Sequence, residues 1–435
     1  MSRASFKMKK SLTIVYLIFA LLAVKVNAQT WSGTIVYGKN SFGYLIKLGE
    51  TEGQTTASFS SIEMNAYEIP CQNTTLNKDS LHFYVVSDYY TYEYQYIKQE
   101  ERFRGDLKVY SNETEELLNS FETDLIRENI AESDMVEKQE FSFRSNNLIL
   151  YGTLWKPKNP INKGLFFVTS SQGNDRSANN SEAKYFADLG FTVFNYDKRG
   201  TGKSEGDWKS ATIEELSSDD MNAVRFFSKI STLPLSDIGI KGSSQGGVKI
   251  PYILSEMPQL GFGISISCPS GTLLESDLNR WKNLNSNHFG DTQIHQALKI
   301  QKAGFDFLAG NISYKSLLEA KDTNNNPDWL KYIWIPEQDV HKDYKLNFSG
   351  LPYFQKITQP LLVIQGLSDD VIPADSYRKI ENALKKSNSK NYEVVTFENT
   401  NHSMSFVDDE FPFFQLVSPE YLPYLTDWLK TLTNK

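Results

Sequence analysis

The spacing of hydrophobic and polar residues divides the chain into two parts. From about residue 31 to residue 125, apolar residues occur in short aromatic and β-branched runs, separated by clusters of glycine, asparagine and aspartate. This pattern predicts a small antiparallel β domain. Residues 113–133 are polar and charged, and we expect them to form a linker that carries one strand, at 121–126.

After residue 140 the pattern changes to strands that alternate with helices. Strands are predicted as an antiparallel pair at 141–143 and 148–155, followed by 165–168, 192–196, 238–240, 263–266, 361–364 and 393–397. A helix at 212–229 begins with the capping box Thr212-x-x-Glu215, and another is predicted at 181–189. The alternation predicts an α/β fold with a mostly parallel sheet, whose active groups lie beyond the carboxyl ends of its strands. Residues 269–359 interrupt the sheet with a largely helical stretch, which we interpret as a cap over the active site.

The first 28 residues have the pattern of a secretory signal peptide. Four basic residues precede an apolar run at 12–24, and the small-residue sequence Val26-Asn27-Ala28 follows it. A run of about 13 apolar residues is too short to cross a bilayer, so we expect cleavage after Ala28 and no stable membrane anchor. The prediction is an exported protein, periplasmic or extracellular. Its β domain with linker would occupy 29–133 and its catalytic domain 134–435.

Charge and cysteine content exclude several kinds of function. The formal net charge is −8, and it becomes −13 without residues 1–28, which carry five basic residues and no acidic one. Such an acidic protein is a poor partner for nucleic acid or anionic membranes. Cys71 and Cys268 lie in different predicted domains, and we expect them to be unpaired. The sequence has no Cys/His cluster with metal-ligand spacing, so neither a metal nor an organic cofactor is expected.

The segment SDIGIKGSSQGGVKIP, residues 236–251, joins a short buried strand to a predicted helix through Gly242-x-Ser244-x-Gly246. A serine in a tight strand-to-helix turn needs small neighbours two residues away on each side, and its hydroxyl then stands above the sheet edge. The N–H of Gln245 would face a developing oxyanion. The alternative is a glycine-rich loop after a core strand, and only the context of the motif separates the two.

Chain order supplies that context. A serine hydrolase of this kind presents the serine, then an acid, then a histidine. Asp369 and Asp370 follow a predicted strand, and of the five histidines only His402 comes after them, in a polar loop past another strand. His402 would be the general base toward Ser244, and a carboxylate would orient it. Spacing alone leaves Asp369 and Asp370 as alternatives, and it places the second oxyanion donor in the loop after Val168.

Four segments resemble motifs of the α/β-hydrolases, and more narrowly of exported bacterial carboxylesterases with a small N-terminal β domain. They are residues 195–204, similar to D-x-R-G-x-G-x-S; 242–247, similar to G-H-S-Q-G-G; 366–373, similar to G-x-x-D-x-x-V-P; and 170–176, similar to the oxyanion loop G-S-G-P-Q-D-R. The third motif favours Asp369 as the acid. The fourth implies the N–H of Ser171 as the second oxyanion donor, although Ser170, Ser171 and Gln172 replace the first residues of that motif.

This resemblance implies a carboxylesterase that hydrolyses a small-molecule ester with a short or medium acyl group, through Ser244, Asp369 and His402. Asp175, Arg176, Asp197 and Arg199 are interpreted as structural ion pairs. One alternative is an aminopeptidase-like serine peptidase of the same fold, with a charged group in the cap for a peptide terminus. The other is a non-catalytic carbohydrate-binding protein, for which the tyrosine-rich strand at 89–96 would supply the stacking surface.

Overall fold

The computed structural model describes residues 29–38, 40–128, 136–322, 328–387, 391–407 and 413–433. The predicted signal peptide, residues 1–28, lies outside these ranges. Within them, the chain forms two sheets and nine α-helices, one sheet in each of the two parts that the sequence distinguishes. None of the helices in this described part combines the length and the apolar composition that a membrane span requires.

The N-terminal sheet is antiparallel and has nine strands. They are β1 (Gln29–Tyr37), β2 (Asn40–Thr51), β3 (Gln54–Ser61), β4 (Ala66–Pro70), β5 (Gln72–Leu76), β6 (Ser80–Val86), β7 (Tyr90–Gln99), β8 (Arg102–Ser111) and β9 (Leu117–Glu128). Their spatial order is β4-β3-β2-β1-β9-β8-β7-β6-β5, and contacts between β3 and β5 bring the sheet close to a barrel. The predicted β domain is therefore present, with more strands than the pattern indicated.

The strand predicted at 121–126 is present, but it is part of the longer β9, which lies in the middle of the sheet, so residues 117–128 are not a linker. Strand β9 pairs with β1 on one side and with β8 on the other. Its buried residues, Phe121, Thr123 and Leu125, alternate with exposed or half-buried polar ones. This alternation is the period of a strand with one face on the core, and the many charges on the outer face made the segment resemble a linker.

The tyrosines of β7 do not form a carbohydrate-stacking surface. Tyr92, Tyr94 and Tyr96 are buried in the core of the β domain, and Tyr94 is only 1% exposed. Tyr96 shares a hydrogen bond of 2.7 Å with the hydroxyl of Tyr44, and the ring of Tyr94 stacks on Phe83. Buried tyrosines fill a core when their hydroxyls find partners, and that is their role here.

The second sheet has eight strands and carries the site. They are β10 (Glu137–Ser145), β11 (Leu148–Lys156), β12 (Gly164–Phe167), β13 (Thr192–Tyr196), β14 (Ile238–Ser243), β15 (Phe262–Ile266), β16 (Leu361–Gly366) and β17 (Tyr392–Phe397). Their order is β10-β11-β13-β12-β14-β15-β16-β17, antiparallel across β10, β11 and β13 and parallel from β13 onward. This confirms the predicted α/β fold, with its leading antiparallel pair and a separate β domain.

The helices lie on both faces of this sheet and in the insertion between β15 and β16. They are α1 (Asn180–Asp188), α2 (Ile213–Ser231), α3 (Gln245–Glu256), α4 (Leu273–Asn285), α5 (Asp291–Leu308), α6 (Tyr314–Lys321), α7 (Leu351–Phe354), α8 (Ser376–Leu384) and α9 (Tyr421–Thr433). Helix α2 has the predicted capping box of Thr212 and Glu215. Helices α4 to α7 occupy the stretch predicted to be the cap, and they have small apolar clusters of their own.

The two parts of the molecule are also joined near the C-terminus. Phe414 packs into the aromatic core of the β domain, where its ring stacks on Tyr92. The hydroxyl of Tyr92 donates a hydrogen bond of 2.7 Å to the carbonyl oxygen of Phe413. The segment that follows the histidine loop is thus bound to the N-terminal domain, a contact that no sequence pattern indicated.

Candidate active site

Ser244 lies in the turn between β14 and α3, with φ 56° and ψ −122°. A positive φ is unfavourable for a serine, and strain of this kind costs about 1–3 kcal/mol. A Cβ at Gly242 would lie 2.6 Å from the carbonyl carbon and oxygen of Gly246, so the turn has no room for a side chain there. The Ser244 N–H donates to the carbonyl oxygen of Ile266 at 2.9 Å, which binds the turn to the neighbouring strand.

The structure brings three of the predicted residues together. His402 Nε2 lies 2.9 Å from Ser244 Oγ, and His402 Nδ1 lies 2.8 Å from Asp369 Oδ2. Asp370 is exposed, and its carbonyl oxygen accepts a hydrogen bond from Asn283 of α4. Of the two acids that the spacing left open, Asp369 is therefore the one that contacts the imidazole.

The Asp369 carboxylate is held by the loop that it begins. Its Oδ1 accepts hydrogen bonds from the N–H groups of Val371 and Ile372, at 2.9 and 3.1 Å, and its side chain is fully buried. Oδ2 is left for the imidazole. A carboxylate can only accept a hydrogen bond, so the imidazole donates its Nδ1–H to Oδ2. The Nε2 lone pair of the neutral ring then faces the serine.

The histidine loop, which follows β17, is held by a local contact and by a residue that follows β15. Asn401 Oδ1 accepts hydrogen bonds from the N–H groups of Ser403 and Ser405, each at 3.0 Å. The hydroxyl of Ser267 donates to the carbonyl oxygen of His402 at 2.8 Å. These contacts hold the backbone of His402 against the end of β15.

The two predicted oxyanion donors come from different segments of the chain. Gln245 is the first residue of α3, where backbone N–H groups have no partner within the helix and attract negative charge. Ser171 lies in the loop after β12, residues 169–173, which we call the oxyanion loop. The hydroxyl of Ser170 donates to the carbonyl oxygen of Ser243 at 2.9 Å, so this loop is attached directly to the turn of Ser244.

Sequence reasoning missed two lysines that hold the oxyanion loop. Lys198 Nζ donates to the carbonyl oxygen of Ser170 at 2.8 Å and also to that of Gln172. Lys249, on α3, donates to Thr169 Oγ1 at 2.8 Å and to Asp220 Oδ2 at 2.6 Å. A sequence signal for Lys249 existed, since it is a lone charge inside an apolar stretch of a helix next to the serine.

Asp220 completes this network from helix α2. Its Oδ1 accepts hydrogen bonds from the Thr169 N–H at 3.2 Å and from the Tyr196 hydroxyl at 2.7 Å. Asp220 and Lys249 are both fully buried. The start of the oxyanion loop is thus tied to three different elements.

The residues interpreted as ion pairs have that arrangement, with one exception. Arg176 pairs with Asp197, whose carboxylate also accepts a hydrogen bond from the Lys203 N–H. Arg199 pairs with Asp219 at 2.6 Å. Asp175 instead caps a short helical turn, accepting from the N–H of Ser177.

In the part of the chain that the structure describes, no group of three histidine, cysteine, aspartate or glutamate side chains is arranged to hold a metal ion. Cys71 and Cys268 are free thiols, and burial raises the pKa of each to about 12. At neutral pH both are protonated, which makes them poor nucleophiles.

The sequence matches a family model described as alpha/beta hydrolase fold over residues 173–409, which is more than half of the chain. No curated protein matches the chain in sequence.

Solved structures that resemble the chain include three hydrolases. An esterase of Pyrococcus furiosus is 16% identical over 71% of this chain and 94% of its own, with a TM-score of 0.45. A proline iminopeptidase of Mycobacterium smegmatis is 16% identical over 68% and 98%, with a TM-score of 0.44. An acylaminoacyl peptidase of Pyrococcus horikoshii is 14% identical over 93% and 71%, with a TM-score of 0.45. Likenesses this distant do not distinguish esterase from peptidase activity.

Proposed function

Because the chain belongs to the alpha/beta hydrolase fold family, we propose that it is an exported serine hydrolase, a carboxylesterase for short or medium acyl esters. The observation that carries the proposal is the contact of His402 with both Ser244 and Asp369, at 2.9 and 2.8 Å. The order serine, acid, histidine along the chain agrees with it. Export rests on the sequence pattern of residues 1–28, and sequencing the amino terminus of the exported protein tests it, with Gln29 expected first.

In the proposed acylation step, Ser244 Oγ attacks the ester carbonyl carbon while His402 Nε2 takes its proton. The carbonyl π electrons move to the oxygen, and a tetrahedral intermediate forms. When it collapses, the imidazolium gives its proton to the departing alcohol, and the acyl group stays on Ser244. Water repeats the sequence against this acyl-enzyme, losing a proton to His402 as it attacks, and the carboxylic acid leaves as Ser244 regains its proton.

Asp369 and the backbone donors supply the electrostatics of these steps. The carboxylate of Asp369 stabilises the imidazolium that forms twice in each cycle. The N–H groups of Gln245 and Ser171 are proposed to bind the oxyanion, and one such donor is typically worth about 2.7–4 kcal/mol of barrier. The cap is proposed to decide which acyl and alcohol groups enter the active site. Its helix α4 contacts the loop that begins at Asp369, through Asn279 and Asn283.

The test uses the protein from Gln29, which is the predicted mature chain. A fluorophosphonate probe should label Ser244, as mapped by peptide mass spectrometry, and p-nitrophenyl acetate and butyrate should be hydrolysed. A panel of aminoacyl p-nitroanilides, run beside the esters, should be cleaved poorly. Comparable efficiency on the anilides would replace the esterase with a peptidase. Folded protein without labelling or turnover would point to a non-catalytic binding protein.

A further inference from the structure

We infer that Lys198 is a positioning residue that orients the N–H of Ser171 as the second oxyanion donor, by binding the carbonyl groups on both sides of it. The inference rests on the proposed hydrolase function. It assigns a role to a residue outside the triad, and the contacts that carry it lie within the described residues. Lys198 follows β13, whereas Ser170 and Gln172 follow β12.

The planarity of the peptide bond carries the first step. The carbonyl group of Ser170 and the N–H of Ser171 belong to the same peptide unit, and in a trans peptide they point in opposite directions. The described chain has no cis peptide bond. Because Lys198 Nζ holds the Ser170 oxygen at 2.8 Å, the Ser171 N–H must point away from the ammonium group.

The second step concerns what the Ser171 N–H binds. No described residue accepts a hydrogen bond from it, whereas the Thr169 N–H donates to the carboxylate of Asp220 and the Val168 N–H donates to the carbonyl oxygen of Lys241. The loop is also attached to the serine turn through the Ser170 hydroxyl. An oriented N–H without a protein acceptor, one residue from that attachment, is available to an oxyanion.

The surroundings of Lys198 set it apart from the other buried lysines. The described residues include four buried lysines, and three of them pair with a carboxylate: Lys241 with Glu182, Lys249 with Asp220 and Lys345 with Asp343. Lys198 is 2% exposed and has two carbonyl oxygens and the Trp208 ring, 4.4 Å away, instead of a carboxylate within ion-pair distance.

A buried ammonium group without a counter-ion is costly. Burial accordingly lowers the pKa of Lys198 to about 7, with the charges of Lys249 and Lys345 adding to the effect and Asp220 opposing it. A buried lysine whose charged form is disfavoured, and which nevertheless binds the carbonyls beside the proposed donor, is better explained by the site than by stability.

The composition of the loop explains why a clamp is needed. Gln172 has φ 62°, a left-handed conformation that glycine adopts freely and other residues rarely do. The bond from Lys198 to the Gln172 carbonyl holds this strained conformation in place. Residues 170–172 contain no glycine, which would adopt this conformation with less strain. The two hydrogen bonds from Lys198 therefore hold the loop in a conformation that its own residues do not favour.

The experiment compares the variants Lys198→Met and Lys198→Arg on p-nitrophenyl butyrate. Methionine keeps the apolar stem and removes the donors, so we expect kcat to fall roughly 10²–10³-fold, the loss seen when one oxyanion donor is removed, with KM within about twofold. Arginine restores two donors and should recover at least about a tenth of the wild-type kcat. Lys163→Met, which breaks a half-buried ion pair with Asp237, is the control.

A boronic acid inhibitor separates positioning from general structure, because it forms a tetrahedral adduct with the serine. Its affinity should fall in Lys198→Met by about the same factor as kcat/KM, since both report transition-state binding. The variant Ser171→Pro removes the proposed N–H itself. If Lys198→Met does not fold, this variant tests whether the N–H contributes to kcat. In the Ser171→Pro background, Lys198→Met should have little further effect on kcat.

The outcomes separate the two proposals. If the wild-type protein hydrolyses esters but Lys198→Met or Ser171→Pro keeps full kcat, the role of Lys198 is wrong and the proposed function stands. The same holds if kcat falls while boronic acid affinity is unchanged. If the folded wild-type protein neither reacts with the fluorophosphonate nor hydrolyses esters, the proposed function fails and the role of Lys198 fails with it.

Discussion

The two sides of the candidate site are held in different ways. On the acid side, Asp369 is bound by N–H groups two and three residues further along the chain, and His402 stands in a loop braced by Asn401, its neighbour. On the oxyanion side, the loop is held by the ammonium groups of Lys198 and Lys249, which come from distant segments. Local turn contacts hold the acid carboxylate, with Ser267 and two asparagines of α4 as additional contacts to the backbone, whereas buried lysines hold the oxyanion side.

This difference teaches where the site is robust and where it is vulnerable. A loop held by its own backbone keeps its geometry when a distant residue changes. A loop held by buried ammonium groups depends on those groups having the right partners, because an unpaired buried charge is unfavourable. Substitutions on the acid side should therefore affect catalysis alone, whereas those on the oxyanion side should affect catalysis and stability together.

The largest effect is expected at the point where the two sides meet. Ser244→Ala should lower kcat for p-nitrophenyl esters by about 10⁶, because it removes the nucleophile. Its unfolding free energy in urea should be similar to that of the wild type or higher, since alanine removes no described bond except the one to His402. Turnover within tenfold of the wild type would show that another group performs the reaction.

The acid side is tested by the pair Asp369→Asn and Asp370→Asn. The first should lower kcat by about 10⁴, because an amide does not hold the imidazole in the required tautomer. The second should change kcat by less than about threefold, since Asp370 is exposed and only its backbone oxygen contacts α4. Steady-state kinetics at pH 8 with both variants decides between the acids, and the reverse ranking would make Asp370 the acid.

The oxyanion side is tested for stability by Lys249→Met. This change leaves the fully buried Asp220 without its cation, and breaking a buried pair in this way costs about 3–5 kcal/mol of unfolding free energy. Lys163→Met, on a half-buried pair, should cost less than about 1 kcal/mol. Urea unfolding followed by tryptophan fluorescence measures both losses. Equal losses would mean that the fully buried pair of Lys249 and Asp220 stabilises the fold no more than the half-buried pair does.

The smallest effect concerns the pH dependence of stability. The pKa of Lys198 is lowered to about 7, so between pH 7 and its ordinary value the unfolded chain binds more protons than the folded one. Stability should therefore rise with pH in this interval, by about 1–2 kcal/mol between pH 7 and 9 relative to Lys198→Met. Urea unfolding of both proteins at the two pH values measures the difference, and parallel curves would contradict the lowered pKa of Lys198.

The N-terminal domain shows which structural features a hydrophobic pattern can predict. The aromatic and β-branched runs correctly predict an antiparallel β domain, because alternation is a local property of a strand. They predict a strand at 121–126 but assign it to a linker and make it too short, because β9 carries many charges on its outer face. They also do not tell which face of β7 is buried, since a strand of alternating tyrosines can turn either face to the core. In the folded domain, the face that carries Tyr92, Tyr94 and Tyr96 is buried in the core.

What the sequence by itself determined is the local structure of the part that carries the candidate site. The turn of Ser244, the capping box of α2 and the alternation of strands and helices each depend on a few neighbouring residues, and the order of Ser244, Asp369 and His402 needs only the chain to be read. Only the tertiary structure brought Lys198 to Ser170 across 28 residues, Lys249 to Thr169 across 80 and Tyr92 to Phe413 across 321. The physical reason is that a lysine carries no sign of its partner. Its burial and its bonds follow from how separate elements pack, and packing is a property of the folded chain.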